Sequence, residues 1–356
     1  MLKEIGSEFW RADSLVQTEH QFLPSDEWPG DKRYFISGRS ALYAIIKEIK
    51  ESLGSFSPLT AYLPSYCCHT MIDPFLQQGM SVDFYPIVFR DGSLQQLIDP
   101  TKVCDIILVM DYFGFSTVEK ELPKSAIVVR DMTHALFSSN YAEKLRSADY
   151  LFASFRKWGA VAGASVASKK IGEWSETSKR HHNLYISLRK RGYELKTDYI
   201  EGKPVEKSEF LDIFSEAEDL LEQDYIDYAA DEKSISEAAT LFQSVSIRRR
   251  NADFLLHGLN SLHILEPIFP KIETHDVPLF IPILVKNNKR DALRKYLIEN
   301  SVYCPVHWPL SPLHSITTEE QQIYSSELSL ICDQRYGEEE MNRQLEVIRG
   351  FELLDG

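Results

Sequence analysis

The sequence predicts an α/β fold, with a large domain built on a mostly parallel, mixed sheet covered by helices and a smaller C-terminal α+β domain. Three observations lead there. From about residue 34, helix-like and strand-like segments alternate. Two continuous apolar runs, "CDIILVMDYFG" (104–114) and "SAIVVRDM" (125–132), read as strands buried on both faces, which is the mark of a parallel sheet. After about residue 170 the chain turns into charged helical sequence and then returns to a short α+β pattern. The boundaries fall as a large domain at 1–240, with an N-terminal arm at 1–33 and a helical connecting region at 171–240, and a small domain at 241–356.

In chain order, "RSALYAIIKEIKESLG" (39–54) is an amphipathic helix ended by Gly54, and "TAYLP" (60–64) is a short strand stopped by Pro64. Helix "CHTMIDPFLQQG" follows, with Gly79 at its C-terminal end, and then strand "SVDFYPI" (81–87). "YLFASF" and "GASVAS" read as strands joined by a tight connection that carries Lys157, Trp158 and Gly159. In the small domain, "VPLFIPILV" is a strand, and "KRDALRKYLIEN" and "GEEEMNRQLEVIRGF" are helices. No internal repeat or low-complexity tract occurs.

Composition narrows the function. The 356 residues are 44% hydrophobic, enough for a sizeable core, and the formal net charge of -14 argues against nucleic acid as partner. No apolar signal core opens the chain and no stretch approaches a membrane span, so a cytoplasmic protein without a membrane partner is expected. The five cysteines, Cys67, Cys68, Cys104, Cys304 and Cys332, show no metal-ligand spacing, and the histidines are scattered, so no metal site is expected. Neither G-x-G-x-x-G nor a Walker-type phosphate loop is present.

The chemistry-bearing residues lie at element ends. Asp131 closes a buried strand, at the edge where α/β sheets carry their sites, and a carboxylate there is costly unless something cationic meets it. Lys157 follows another strand; its ordinary alternative is a solvated lysine, but at a strand end it can enter a cleft, lose hydration and act as a nucleophile. A carboxylate that keeps a pyridinium nitrogen protonated and a lysine that bonds to an aldehyde are the two parts that pyridoxal 5'-phosphate (PLP) chemistry requires. The phosphate needs a seat, and Ser37, Gly38 and Arg39 open a helix whose free N–H groups suit a dianion; Ser154, three residues before the lysine, adds a donor. The alternative is that Ser37 is only an N-cap.

The order "SGRSAL", "LPSYCCHTMIDPFLQQG", "DYFG", "RDMTHA", "SFRKW" resembles the fold type I PLP-dependent transferases, specifically the DegT/StrS-like sugar aminotransferases, from about residue 33 to 168 and more weakly beyond. The resemblance implies that Lys157 carries the cofactor, that Asp131 pairs with the ring nitrogen and that His134 lies near the cofactor's hydroxyl. It also implies that Ser154, Gly38 and Arg39 bind phosphate. It puts a ring-stacking aromatic at the position of Cys68, so Tyr66, His69 or no residue supplies that stack here. The implied activity is amino transfer from an amino acid such as glutamate to a nucleotide-linked keto-sugar, by a homodimer. The rivals are a PLP-dependent lyase or dehydratase and a non-catalytic PLP-binding sensor or scaffold.

The remaining candidates keep two readings each. His134 is otherwise a core histidine satisfied by backbone. His307, Trp308 and Arg335 sit in the small domain; Arg335 either binds a donor carboxylate through its planar fork or forms a buried ion pair with Asp333. The basic stretch "KRHHNLYISLRKR" attracts a nucleotide diphosphate or is a solvated face, and Arg248, Arg249 and Arg250 are helix surface or dimer contacts.

Overall fold

A computed structural model describes residues 3–11, 22–54, 58–117, 121–138, 142–175 and 179–355; part of the N-terminal arm expected at 1–33 therefore lies outside the described residues. Seven strands form the main sheet in the order Asp31–Phe35, Ser165–Lys169, Tyr150–Ser154, Ile127–Asp131, Ile106–Met110, Thr60–Pro64 and Ser81–Tyr85. All run in one direction except Ser165–Lys169, which is antiparallel to both neighbours. The inversion follows from chain length. Only residues 155–164 separate this strand from the one before it, fewer than the crossover of about a dozen residues that a parallel return needs. Ile106–Met110 is buried at every position, as a strand covered on both faces must be.

The helix Gly38–Leu53 lays Ala41, Leu42, Ile45, Ile46 and Ile49 against the sheet and ends at Gly54 in the left-handed region, φ 55°. Because it begins just after the strand Asp31–Phe35, its N-terminus sits at the same sheet edge as Asp131 and Ser154, the last residues of their strands. Sequence reading did not anticipate the hairpin Ile87–Arg90/Ser93–Gln96, although Asp91-Gly92, with φ of 52° and 70°, is the dipeptide such a turn favours.

The charged connecting region forms two packed helices, Asn183–Ile200 and Lys207–Gln223, around Tyr193, Phe210, Phe214 and Leu221. Gly192 lets them meet, since a Cβ there would fall 2.6 Å from the Phe214 ring. The C-terminal lobe is an antiparallel sheet of Leu265–Pro267, Ile281–Val285 and Glu327–Leu330, with helices Val245–Leu259, Arg290–Glu299 and Glu338–Asp355. The expected strand "VPLFIPILV" is shorter than its apolar run because its first half bonds to the large lobe instead: Val277 N donates to Gly114 O at 3.1 Å and Leu279 N to Phe113 O at 2.8 Å. From the N-terminus, Ile5–Gly6 pairs in parallel with Val302–Tyr303 and Trp10 packs edge-on against Tyr336, so the start of the chain docks on the C-terminal lobe. No helix among the described residues is long and apolar enough to cross a membrane.

Candidate active site

The strand ends and the helix start enclose a cavity of about 270 Å³. Of the sequence-predicted residues, Ser37, Gly38, Arg39, Cys68, Asp131, His134, Ser154, Lys157 and Trp308 line it. His307 and Arg335 line a second cavity of about 610 Å³, and Lys157, Arg156 and Glu218 belong to the walls of both. Tyr66 lines neither. It is buried, its hydroxyl donates to His307 O, and its ring packs with Tyr112, Trp308 and Tyr324.

Asp131 is 5% exposed, and its Oδ1 accepts the Thr133 amide at 2.7 Å. Among the described residues no cationic side chain forms an ion pair with it; the nearby buried pair is Arg130 with Asp111, at 3.2 Å. Burial therefore dominates and pushes the carboxyl up to about 6, although the Thr133 hydrogen bonds and the charge of Lys157 oppose the rise.

His134 serves both readings left open by the sequence. Its Nδ1 accepts the Phe113 amide at 3.2 Å, so the neutral ring carries its proton on Nε2, while the ring itself lines the cavity. Burial, and then the charge of Lys157, lower its pKa to about 3, which keeps it neutral. The Trp308 indole stacks on it at 5.5 Å and 23°.

At the helix start, Ser37 Oγ accepts the Ser40 amide at 3.1 Å, the N-cap arrangement. The Gly38 and Arg39 amides, in the first turn of that helix, have no intrahelical acceptor by geometry. A Cβ on Gly38 would come 3.4 Å from Ser154 Cβ, so the bare glycine leaves room between helix and strand. Arg39 stacks over the Tyr225 ring, 5.1 Å from its centroid.

Cys68 precedes the helix His69–Gln77 and takes the Thr70 hydroxyl on Sγ at 3.1 Å. Burial alone would raise its pKa, but hydrogen bonds with His69 and Thr70 and the charge of Lys157 outweigh it and bring the thiol down to about 7.

Lys157 ends the short 3₁₀ turn Phe155–Lys157 and is exposed. Its neighbour Trp158 is anchored on all sides: indole Nε1 donates to Thr133 O at 2.7 Å, and the Trp158 carbonyl accepts Gln334 Nε2 at 2.8 Å and Arg248 at 3.2 Å. Arg248 is fully buried and also covers the Trp158 ring, so the expectation of helix surface or dimer contact fails for it. The reason is that the helix turns this side chain inward, where its two terminal nitrogens donate to the Leu279 and Trp158 carbonyls. Arg335 forms the buried fork with Asp333, at 2.8 and 2.7 Å, and its remaining nitrogen donates to Glu8 O at 2.9 Å. Three cations of the basic stretch are engaged elsewhere in the chain: Arg180 donates to the Tyr228 hydroxyl, Arg189 binds Glu8 and Glu218, and Lys190 meets Asp231.

Sequence reasoning missed Thr133, Arg156 and Glu218. Thr133 had a signal, two residues after a buried aspartate. Glu218 had none, being one acid among many on its helix, brought to the wall by helix packing.

No family model and no curated protein matches the sequence. Solved structures do match the fold. PseC of Helicobacter pylori, an aminotransferase involved in the biosynthesis of pseudoaminic acid, superposes with a TM-score of 0.68 at 14% identity, over 98% of this chain and 99% of that one. DesI, solved in the presence of its TDP-sugar product, gives 0.61 at 15% identity, over 89% and 79%. Spr1654 from Streptococcus pneumoniae, in its PLP form, gives 0.59 at 13% identity, over 90% and 86%. The chain therefore has the fold of the fold type I PLP-dependent aminotransferases.

Proposed function

We propose that this chain is a PLP-dependent aminotransferase that moves an amino group from an amino acid such as glutamate to a nucleotide-linked keto-sugar. The observation that carries the reading is Asp131: a buried carboxyl at the wall of a cavity, without an ion-pair partner among the described residues, beside a glycine-lined helix start and a lysine. A cofactor with a ring cation and a phosphate dianion supplies both missing charges, so the residues fit PLP.

Bound there, PLP supplies an electron sink for negative charge at the substrate carbon. Asp131 would hold the ring nitrogen protonated. Lys157 would hold the cofactor covalently and, once displaced by substrate amine, move a proton at Nζ. The Gly38 and Arg39 amides and the Ser154 hydroxyl would seat the phosphate, and His134 Nε2–H would donate to the cofactor's hydroxyl. Donor and acceptor would enter by the second cavity, which meets the first at Lys157. A nucleophilic lysine has to lose water. In the single chain Lys157 is exposed, which favours a homodimer whose second copy covers the cavity mouth.

Absorbance of the PLP-loaded protein before and after L-glutamate tests the reading. Conversion of the yellow form to the aminated cofactor is expected, followed by return of the yellow form on adding a nucleotide-linked keto-sugar. Binding without conversion would leave a PLP-binding sensor, and no binding would remove the cofactor from the account.

A further inference from the structure

The C-terminal lobe holds a hydrogen-bonded chain that the proposed chemistry of Lys157 and Asp131 leaves unused. Glu327 and Ser329 lie two apart on one strand and so share a face. Ser329 Oγ lies 2.6 Å from Glu327 Oε1 and 2.8 Å from His307 Nδ1, and the His307 amide donates to Glu327 Oε2 at 2.6 Å. Glu327 and Ser329 have no exposure, and His307 is 5% exposed, at the wall of the cavity that also contains Lys157. With Nδ1 taken by Ser329, Nε2 is the nitrogen left for the cavity.

Burial keeps both ends neutral. Burial, then His134 and Lys157, hold the His307 imidazole well below its usual pKa. Burial pushes Glu327 up to about 8. The hydrogen bonds with Ser329 and the His307 amide oppose that rise, and Arg290 adds to them only from a distance, since its guanidinium bonds to the Glu327 backbone carbonyl at 3.0 Å. The other titratable neighbours, the Tyr66 phenol and the Cys304 thiol, are themselves buried and pushed upward. A carboxylic acid with no ion-pair partner among the described residues is an expensive thing to bury for packing alone.

We infer that Glu327, Ser329 and His307 form a proton relay that serves the cavity beside Lys157. With Glu327 protonated, its O–H donates to Ser329 Oγ, the Ser329 O–H donates to Nδ1, and the imidazole proton sits on Nε2. When Nε2 gives that proton to an oxygen in the cavity, the Ser329 proton passes to Nδ1 and the Glu327 proton to Ser329. Three bonds to hydrogen break and three form, and no imidazolium arises. The chain ends as a Glu327 carboxylate and a His307 whose Nε2 is a bare acceptor. The inference rests on the proposed amino transfer, in which replacing a ketone oxygen by nitrogen expels that oxygen as water and needs a proton on it. The donor half-reaction consumes water and returns the proton, so the relay is reset over a full cycle.

The test has a substrate-independent arm. In ¹⁵N-histidine NMR of the PLP-loaded protein, with His307 assigned through His307→Asn, His307 should stay neutral from pH 6 upward and shift its proton from Nε2 to Nδ1 as pH passes about 8. In Glu327→Gln the side-chain amide must donate to Ser329, because its oxygen is held by the His307 amide, so Nε2–H should persist at all pH values. An imidazolium forming near pH 6.5, or one tautomer on both sides of pH 8 in the wild type, would overturn the relay. In the kinetic arm, the aminated protein is mixed with 2-oxoglutarate. Ser329→Ala and Glu327→Gln should return to the yellow form at least tenfold more slowly than the wild type, whose own rate should fall above about pH 8. Equal rates in wild type and variants would also overturn the relay. A wild type inert to 2-oxoglutarate would count against glutamate-dependent transfer, while the NMR arm still decides the relay.

Discussion

The Thr133 amide donates to Asp131 Oδ1 at 2.7 Å, so the strand's own continuation, rather than a cation, orients the buried carboxyl. A charge held this way costs stability until a cofactor arrives. The native pKa is raised from 3.8 to about 6, so the native state holds its proton more tightly than the unfolded chain does. The penalty is absent below the unfolded value, grows as pH rises through the window between the two, and is complete above about 6. At pH 7.5 it amounts to roughly 3 kcal/mol. Asp131→Asn should therefore raise the melting temperature of the cofactor-free protein at pH 7.5 and change it little at pH 4. The same variant should lose turnover on the order of a hundredfold or more, because the ring nitrogen loses its ionic partner. Thermal melts at both pH values, beside steady-state rates, check the two halves; a cofactor-free variant no more stable than wild type would show that Asp131 is not under strain.

Lys157 should carry the cofactor. Borohydride reduction of the PLP-loaded protein, followed by peptide mass mapping, should place the pyridoxyl group on it, and Lys157→Ala should bind PLP without that covalent mark. Label on Lys169, Lys190 or any other lysine would break the assignment.

That Asp131, Ser154, Lys157 and Gly38 line one cavity was legible because each lies at the end of an element that sequence periodicity marks, and strand ends of a parallel sheet converge on one edge. The antiparallel turn of Ser165–Lys169 was also within reach, since the tight connection before it excludes a crossover. The strand Glu327–Leu330 was not: four residues after a short helix carry too little pattern to tell strand from loop. The relay residues in it are joined to His307 across 20 positions or more, and no local spacing announces a contact of that kind. Arg248 misled for a related reason, because three arginines in a row look solvated until packing turns one of them inward.

Cys68 should be the cysteine that reacts first. Its thiol is brought down to about 7 by His69, Thr70 and Lys157 against the effect of burial, and it lines the cavity. Burial instead raises the other four, Cys304 and Cys332 to about 12. One equivalent of iodoacetamide at pH 7 should label Cys68 in the cofactor-free protein, and saturating PLP should slow that labelling at least tenfold. Labelling at an unchanged rate with PLP bound would place Cys68 away from the cofactor.

The phosphate seat gives the sharpest comparison. Gly38 has no positive φ, so an alanine there introduces no backbone strain; its methyl instead lies 3.4 Å from Ser154 Cβ, in the gap between helix start and strand. Gly38→Ala should thus fold normally and fail in phosphate retention, with the amides of the first turn screened from the ligand. Ser154→Ala removes one hydrogen bond to a charged group, worth about 1.5–3 kcal/mol, and leaves those amides in place. PLP affinity should fall roughly ten- to a hundredfold in Ser154→Ala and further in Gly38→Ala. Equilibrium dialysis against PLP and pyridoxal side by side separates this from a general loss of binding. Wild type should strongly prefer the phosphorylated form, and both variants should lose much of that preference while holding pyridoxal about as well. A wild type that binds both forms equally would mean that the start of the helix Gly38–Leu53 seats no phosphate, and Asp131 and Lys157 would then have to be explained by a ligand without one.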